Sequence, residues 1–79
     1  MIQLYMRDGC PFCKKVLRAA FELELEEGKD FKIIDASPGT AGEDKVLSTG
    51  GKDMVPFLVD GDTSMYESED IIAYLKNVF

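Results

Sequence analysis

The chain has no histidine and no tryptophan, only two cysteines, and nine basic residues against fifteen acidic ones. Each shortage excludes something. A net charge of −6 argues against nucleic acid as a partner, because binding phosphates takes a cationic surface. A closed structural zinc site takes four Cys or His ligands, and two cysteines without a histidine do not supply them, so no metal is expected. No apolar run approaches the roughly 18 residues of a membrane span, and no basic amphipathic helix offers itself to a membrane surface. The start, Met1-Ile2-Gln3-Leu4-Tyr5-Met6, lacks the length and cationic lead of a signal peptide. A cytoplasmic protein without a membrane partner is the expectation. Seventy-nine residues, 46% of them hydrophobic, make one globular domain, 1–79, near the lower limit for independent folding.

Both cysteines fall in Gly9-Cys10-Pro11-Phe12-Cys13-Lys14-Lys15. Three readings compete. A structural disulfide rarely persists in a reducing cytosol, and closing so small a loop constrains the unfolded chain little. A metal site would need carboxylates, a second chain or an external thiol. A reactive thiol pair needs support from its surroundings.

Those surroundings read as β-α-β-α-β-β-α. Residues 2–6 form a strand. After the loop Arg7-Asp8-Gly9, Cys10 stands at a helix N-cap and Pro11 at the first helical position, where a missing N–H costs nothing. Phe12, Val16, Leu17 and Ala20 recur at helical spacing. Phe21 to Glu26 alternates like a strand, but its Leu and Glu are strong helix formers, so the helix is expected to run on until Gly28 caps it. Phe31–Asp35 is a second strand, parallel to the first in a right-handed unit. Ala41 to Leu47 is a short helix closed by Gly50-Gly51. Pro56 to Val59 and Thr63 to Tyr66 form a hairpin around Asp60-Gly61. Ser68 reads as the N-cap of a last helix, with Glu69 and Asp70 in its first turn and Ile71, Ile72, Leu75 and Phe79 on its apolar face. The fold class is α/β: a four-stranded mixed sheet with helices on both faces.

A thiolate attacks a disulfide, and a helix N-terminus with nearby cations favours the thiolate. Between residues 7 and 18 stand four cations, Arg7, Lys14, Lys15 and Arg18, against one acid, Asp8. Lys14, Lys15 and Arg18 also fit the solvated face of an amphipathic helix; Arg7, in the loop beside Cys10, fits a role at the sulfur. Cys13 lies one helical turn deeper, which suits a resolving thiol to the nucleophile Cys10. Phe12 fits either a core residue or a wall of the site.

Cys10-Pro11-Phe12-Cys13 opening a helix after an N-terminal strand, Met54-Val55-Pro56, and Glu67-Ser68-Glu69-Asp70-Ile71 together resemble the dithiol glutaredoxins of the thioredoxin superfamily, over nearly the whole chain. That resemblance implies a cis Pro56 facing the site and glutathione bound beside the nucleophile as co-substrate. It implies Val55 pairing its backbone with the cysteinyl part, and Ser68 and Glu69 holding the γ-glutamyl end. Arg7 and Lys52 match positions whose cations face the glycine carboxylate, and Phe12 flanks the sulfur. Ser68 as a plain cap and Glu69 as a dipole-compensating acid are the simpler roles. Met54 replaces the family's usual threonine, and the Gly-Gly pair before the last helix is absent. Glu67-Ser68 followed by Ile and Tyr-Leu is more similar to the N-terminal domain of glutathione transferases, which holds the γ-glutamyl group with an acid–serine pair. A complete transferase is not expected, because 79 residues leave no room for its helical domain.

The function so implied is a monomeric, glutathione-dependent thiol–disulfide oxidoreductase that reduces protein disulfides and glutathione mixed disulfides; its partners are glutathione and disulfide-bearing or glutathionylated proteins. The alternatives are a thioredoxin-like redoxin, serving ribonucleotide reductase and recharged by a flavin reductase, and a carrier of an iron–sulfur cluster bridged between two chains.

Overall fold

In the computed structural model, which describes residues 1–79, the elements run β1 (Ile2–Met6), α1 (Pro11–Glu22), β2 (Phe31–Asp35), α2 (Ala41–Gly50), β3 (Phe57–Asp60), β4 (Thr63–Met65) and α3 (Ser68–Val78). The strands lie in the order β2-β1-β3-β4. β1 pairs parallel with β2, Ile2 facing Phe31 and Met6 facing Asp35. It pairs antiparallel with β3, which pairs antiparallel with β4. This is the thioredoxin-like mixed sheet expected.

Strand alternation sorts the apolar residues onto two faces. Ile2, Leu4 and Met6 of β1, Phe31 of β2 and Leu58 of β3 point to one face, where Cys13, Val16 and Ala20 of α1 and Ile71 and Leu75 of α3 cover them. Tyr5 and Phe57 point to the other, against Ala36 and against Val46 of α2. Leu4, Val16, Val46, Phe57, Leu58, Ile71 and Leu75 are fully buried. α2 docks closely: a Cβ on Gly42 would fall 2.0 Å from the Asp35 carbonyl oxygen, so only glycine lets this helix approach the sheet edge.

Several boundaries differ from the sequence reading. α1 ends at Glu22, not at Gly28. The Glu24 N–H donates to the Phe21 carbonyl and the Leu25 N–H to that of Ala20, both at 3.0 Å, with Glu24 at φ 60°. That is a Schellman ending with a glutamate in the left-handed position usually held by glycine. It turns Leu23 and Leu25 back onto the core, so burial of these two leucines overrides the helix propensity of the segment. Gly28, at φ 91°, instead shapes the turn into β2. α2 runs three residues beyond Leu47, to Gly50, and Gly51 caps it at φ 84°. Pro56 precedes β3, β4 stops at Met65, and the hairpin turns on Gly61-Asp62, because Asp60 and Thr63 still pair. Ser68 is the first residue of α3 and Glu67 its cap, without a side-chain capping bond.

Candidate functional site

The head of α1 is built around the two cysteines. Cys10 takes the extended cap conformation and its sulfur accepts the Cys13 N–H at 3.3 Å. Pro11 begins the helix, as its fixed φ and missing N–H favour. Both cysteines are free; Cys10 is half-buried and Cys13 buried, 2% exposed. Burial pushes the Cys13 thiol up from 9.0 to about 12, and its hydrogen bond to Cys10 adds to that. Cys13 thus directs its backbone N–H at the Cys10 sulfur. The first turn of α1 holds no acid, whereas α2 has Glu43 and Asp44 there and α3 has Glu69 and Asp70. The positive end of the α1 dipole is left uncompensated at the helix whose cap is a sulfur.

An open groove of about 260 Å³ runs beside this helix head, lined by Phe12 and Lys15 of α1, by Met54, Val55 and Pro56 of the loop into β3, and by Glu67, Ser68 and Glu69 at the start of α3. The Val55–Pro56 peptide is cis. Phe12 is 60% exposed, so it is a wall of the groove and not a core residue. The groove therefore brings together Phe12, Val55, Pro56, Ser68 and Glu69 from three separate places in the chain. A larger cleft of about 490 Å³ opens on another side of α1, between Cys13, Leu17, Arg7 and Ile33. Its lining includes neither the cis-proline loop nor the start of α3.

Arg7 and Lys52 do not line the groove. The Arg7 guanidinium donates from Nε to the Ala36 carbonyl at 2.6 Å, hydrogen-bonds Asp53 and lies 3.7 Å from Glu43. It ties the end of β1 to α2 and to the loop that carries Val55. Lys52 meets Tyr66 through its backbone N–H and carbonyl. Three groove residues, Lys15, Met54 and Glu67, lay outside the sequence-derived site. Lys15 pairs with the Glu69 carboxylate across the groove, with both side chains more than half exposed. Glu67 sits at φ 67°, ψ 117°, outside the regions open to ordinary L-residues, at a cost of about 1–3 kcal/mol. The adjacent Glu67-Ser68 was the signal that could have found it.

Residues 4–79 match the family described as glutathione S-transferase, N-terminal domain. Glutathione S-transferase 3 from Zea mays is 33% identical over 73 residues, which are 90% of this chain and 32% of that protein. The structure of a glutathione S-transferase from the Antarctic clam Laternula elliptica is 31% identical and superposes with a TM-score of 0.76, over 99% of this chain and 35% of that one. A thioredoxin-like protein, 16% identical, superposes over the full length of both chains with a TM-score of 0.78, a likeness of fold. The chain spans about a third of the length of the transferases it matches.

Proposed function

The chain belongs to the family of glutathione S-transferase N-terminal domains, and from that premise we propose a glutathione-dependent thiol–disulfide oxidoreductase that works as the dithiol glutaredoxins do, through Cys10 and Cys13. The carrying observation is the Cys10 sulfur at the head of α1, accepting the Cys13 N–H at 3.3 Å beside an exposed groove.

Cys10, as thiolate, attacks one sulfur of a protein disulfide. The S–S bond breaks, the leaving thiolate takes a proton, and Cys10 is joined to the substrate. Cys13 then gives up its proton and attacks the Cys10 sulfur, releasing the second substrate thiol and leaving a Cys10–Cys13 disulfide. Two glutathione molecules return the pair to dithiol and leave as glutathione disulfide. On a glutathione mixed disulfide Cys10 takes the glutathionyl group directly, and a second glutathione removes it. Because burial holds the Cys13 proton, Cys13 does not compete with Cys10 for the first attack. In this scheme Val55 offers backbone N–H and C=O to an extended ligand, and Phe12 and Pro56 flank it. Glu67, Ser68 and Glu69 face its γ-glutamyl end, where the α3 N-terminus favours a carboxylate. Arg7 and Lys52 act from outside the groove, through the loop that they hold. No metal is assigned a role in this scheme. No helix is long and apolar enough to cross a membrane, and a working dithiol belongs in a reducing compartment such as the cytoplasm.

A second reading, conjugation of glutathione to an electrophile, is favoured by the family match. One set of assays separates them. The purified chain is given a glutathionylated peptide with glutathione, its reductase and NADPH. The same peptide is then tested with a flavin-dependent thioredoxin reductase, and an aromatic electrophile with glutathione. Turnover in the first assay alone is the expected result. Turnover driven only by the thioredoxin reductase would establish the redoxin alternative, and conjugation without disulfide reduction would establish a transferase.

A further inference from the structure

Between α2 and the groove the chain reverses over Gly50, Gly51 and Lys52, and Tyr66 occupies the inside of that reversal. Its hydroxyl donates to the Lys52 carbonyl at 2.7 Å and accepts the Lys52 N–H at 3.0 Å. Its ring leans on Phe57, centroids 4.5 Å apart. A Cβ on Gly50 would lie 2.2 Å from that hydroxyl oxygen and 2.6 Å from the ring carbon bearing it, so glycine is required there for Tyr66 to be seated. The next residue, Asp53, is held by Arg7. Two consecutive residues are thus anchored, Lys52 to Tyr66 and Asp53 to Arg7, immediately before Met54, Val55 and Pro56 enter the groove.

We propose that Tyr66 is a positioning residue for the ligand-binding loop: its hydroxyl, seated against Gly50, fixes the register in which Val55 presents its backbone to glutathione. The proposal rests on the glutathione-linked reading above. The ring supplies packing through Phe57. The hydroxyl does something else, because both its Lys52 partners are solvent-exposed and water can satisfy them if it is lost. Its removal therefore costs little stability while it frees the loop.

The test is Tyr66→Phe, with Gly50→Ala as a second route to the same displacement, since the added methyl drives the ring out. Expected for Tyr66→Phe are a KM for glutathione raised about five- to tenfold, kcat within about twofold, and an unchanged rate of Cys10 alkylation, since a binding contact shared by ground and transition states raises KM and leaves kcat unchanged when it is lost. The midpoint of thermal unfolding should fall by no more than about 5 °C, and the Lys52 amide should exchange faster with deuterium. An unchanged KM with a deprotected Lys52 amide would overturn the positioning role. Unchanged amide exchange would overturn the clamp itself. A kcat lowered in proportion to unfolded protein, with KM unchanged, would reduce Tyr66 to a packing residue. If the wild-type chain shows no turnover with glutathione, the functional reading fails and with it the role assigned to Val55. Lys52 exchange would then still decide whether Tyr66 holds the loop.

Discussion

Removing the Cys13 side chain should flatten part of the alkaline instability of the protein. Folding raises this thiol from 9.0 to about 12, through burial first and the hydrogen bond to Cys10 second. The folded chain therefore keeps the proton more tightly than the unfolded chain does. The contribution is fully present below about pH 9 and is lost as pH rises towards about 12, at up to about 1.4 kcal/mol per pH unit. Between about pH 8 and pH 10.5 the loss amounts to about 2 kcal/mol. For a domain whose whole stability is about 4–12 kcal/mol, that is easily measured. The comparison is wild type against Cys13→Ala by urea unfolding under reducing conditions at the two pH values. Tyr5, whose phenol burial also raises, and Tyr74, raised by its bond to Asp60, titrate in both proteins and cancel in the difference. The stability gap should shrink by about 2 kcal/mol over the range. A gap that stays constant would mean that the Cys13 thiol is not held by burial, and the division of labour between the two cysteines would lose its physical basis.

Three further outcomes are expected. Cys10→Ser should abolish turnover, whereas Cys13→Ser should still remove glutathione from a mixed disulfide and lose reduction of protein disulfides; equal losses on the glutathionylated peptide would reverse or dissolve the assignment. Glu69→Gln should raise the KM for that peptide by no more than about fivefold, since its carboxylate already pairs with Lys15 at the surface and exposed ion pairs contribute little; no change at all would leave it as a helix-start acid. Gly42→Ala should destabilise the fold by at least about 2 kcal/mol, as overpacking against backbone does, because its methyl would meet the Asp35 carbonyl at 2.0 Å; a neutral effect in urea unfolding would show that α2 can lift off the sheet freely.

Much of the site was legible because it is written locally. Cysteine at a cap, proline at the first helical position and a buried partner one turn on are neighbours in the chain, and strand alternation places β1 and β2 without help. The end of α1 was not legible, because Phe21 to Glu26 satisfies both a helical propensity and a strand period. Only the partly buried positions of Leu23 and Leu25 decide between them, and those depend on a core assembled from several elements distant in the chain. Gly50 read as a stop for α2. It is a helical residue whose missing side chain makes room for Tyr66, sixteen positions away. Arg7 with Asp53 and Lys15 with Glu69 join residues 46 and 54 positions apart. No spacing rule along the chain connects such charges, so each was assigned to a ligand or to solvent when its partner was another part of the protein.

The three helix N-termini divide the electrostatic work. That of α2, away from the groove, is closed: Thr40 caps it by accepting the Glu43 N–H at 3.2 Å, and acids follow in its first turn. That of α1 ends on a sulfur, with no acid to offset its dipole. That of α3 carries no side-chain cap, its leading residue Glu67 is held in a strained conformation, and it lines the groove. Uncapped first-turn N–H groups still need partners, and here they stand where a ligand can supply them. Of its first-turn acids, Glu69 is drawn aside to Lys15, which leaves the Ser68 end of the helix the more electropositive. Two open helix ends at one groove, one already occupied by a sulfur, suit a ligand that brings its own carboxylate to the second. If the α3 end is instead only a helix start, a side-chain cap placed there should stabilise the fold and leave glutathione kinetics unchanged. Glu67→Asn is such a variant, since asparagine both tolerates positive φ and caps, and a raised KM in a more stable protein, absent from Glu67→Gln, which removes the same carboxylate and is a poorer cap, would identify the open end as part of the binding site.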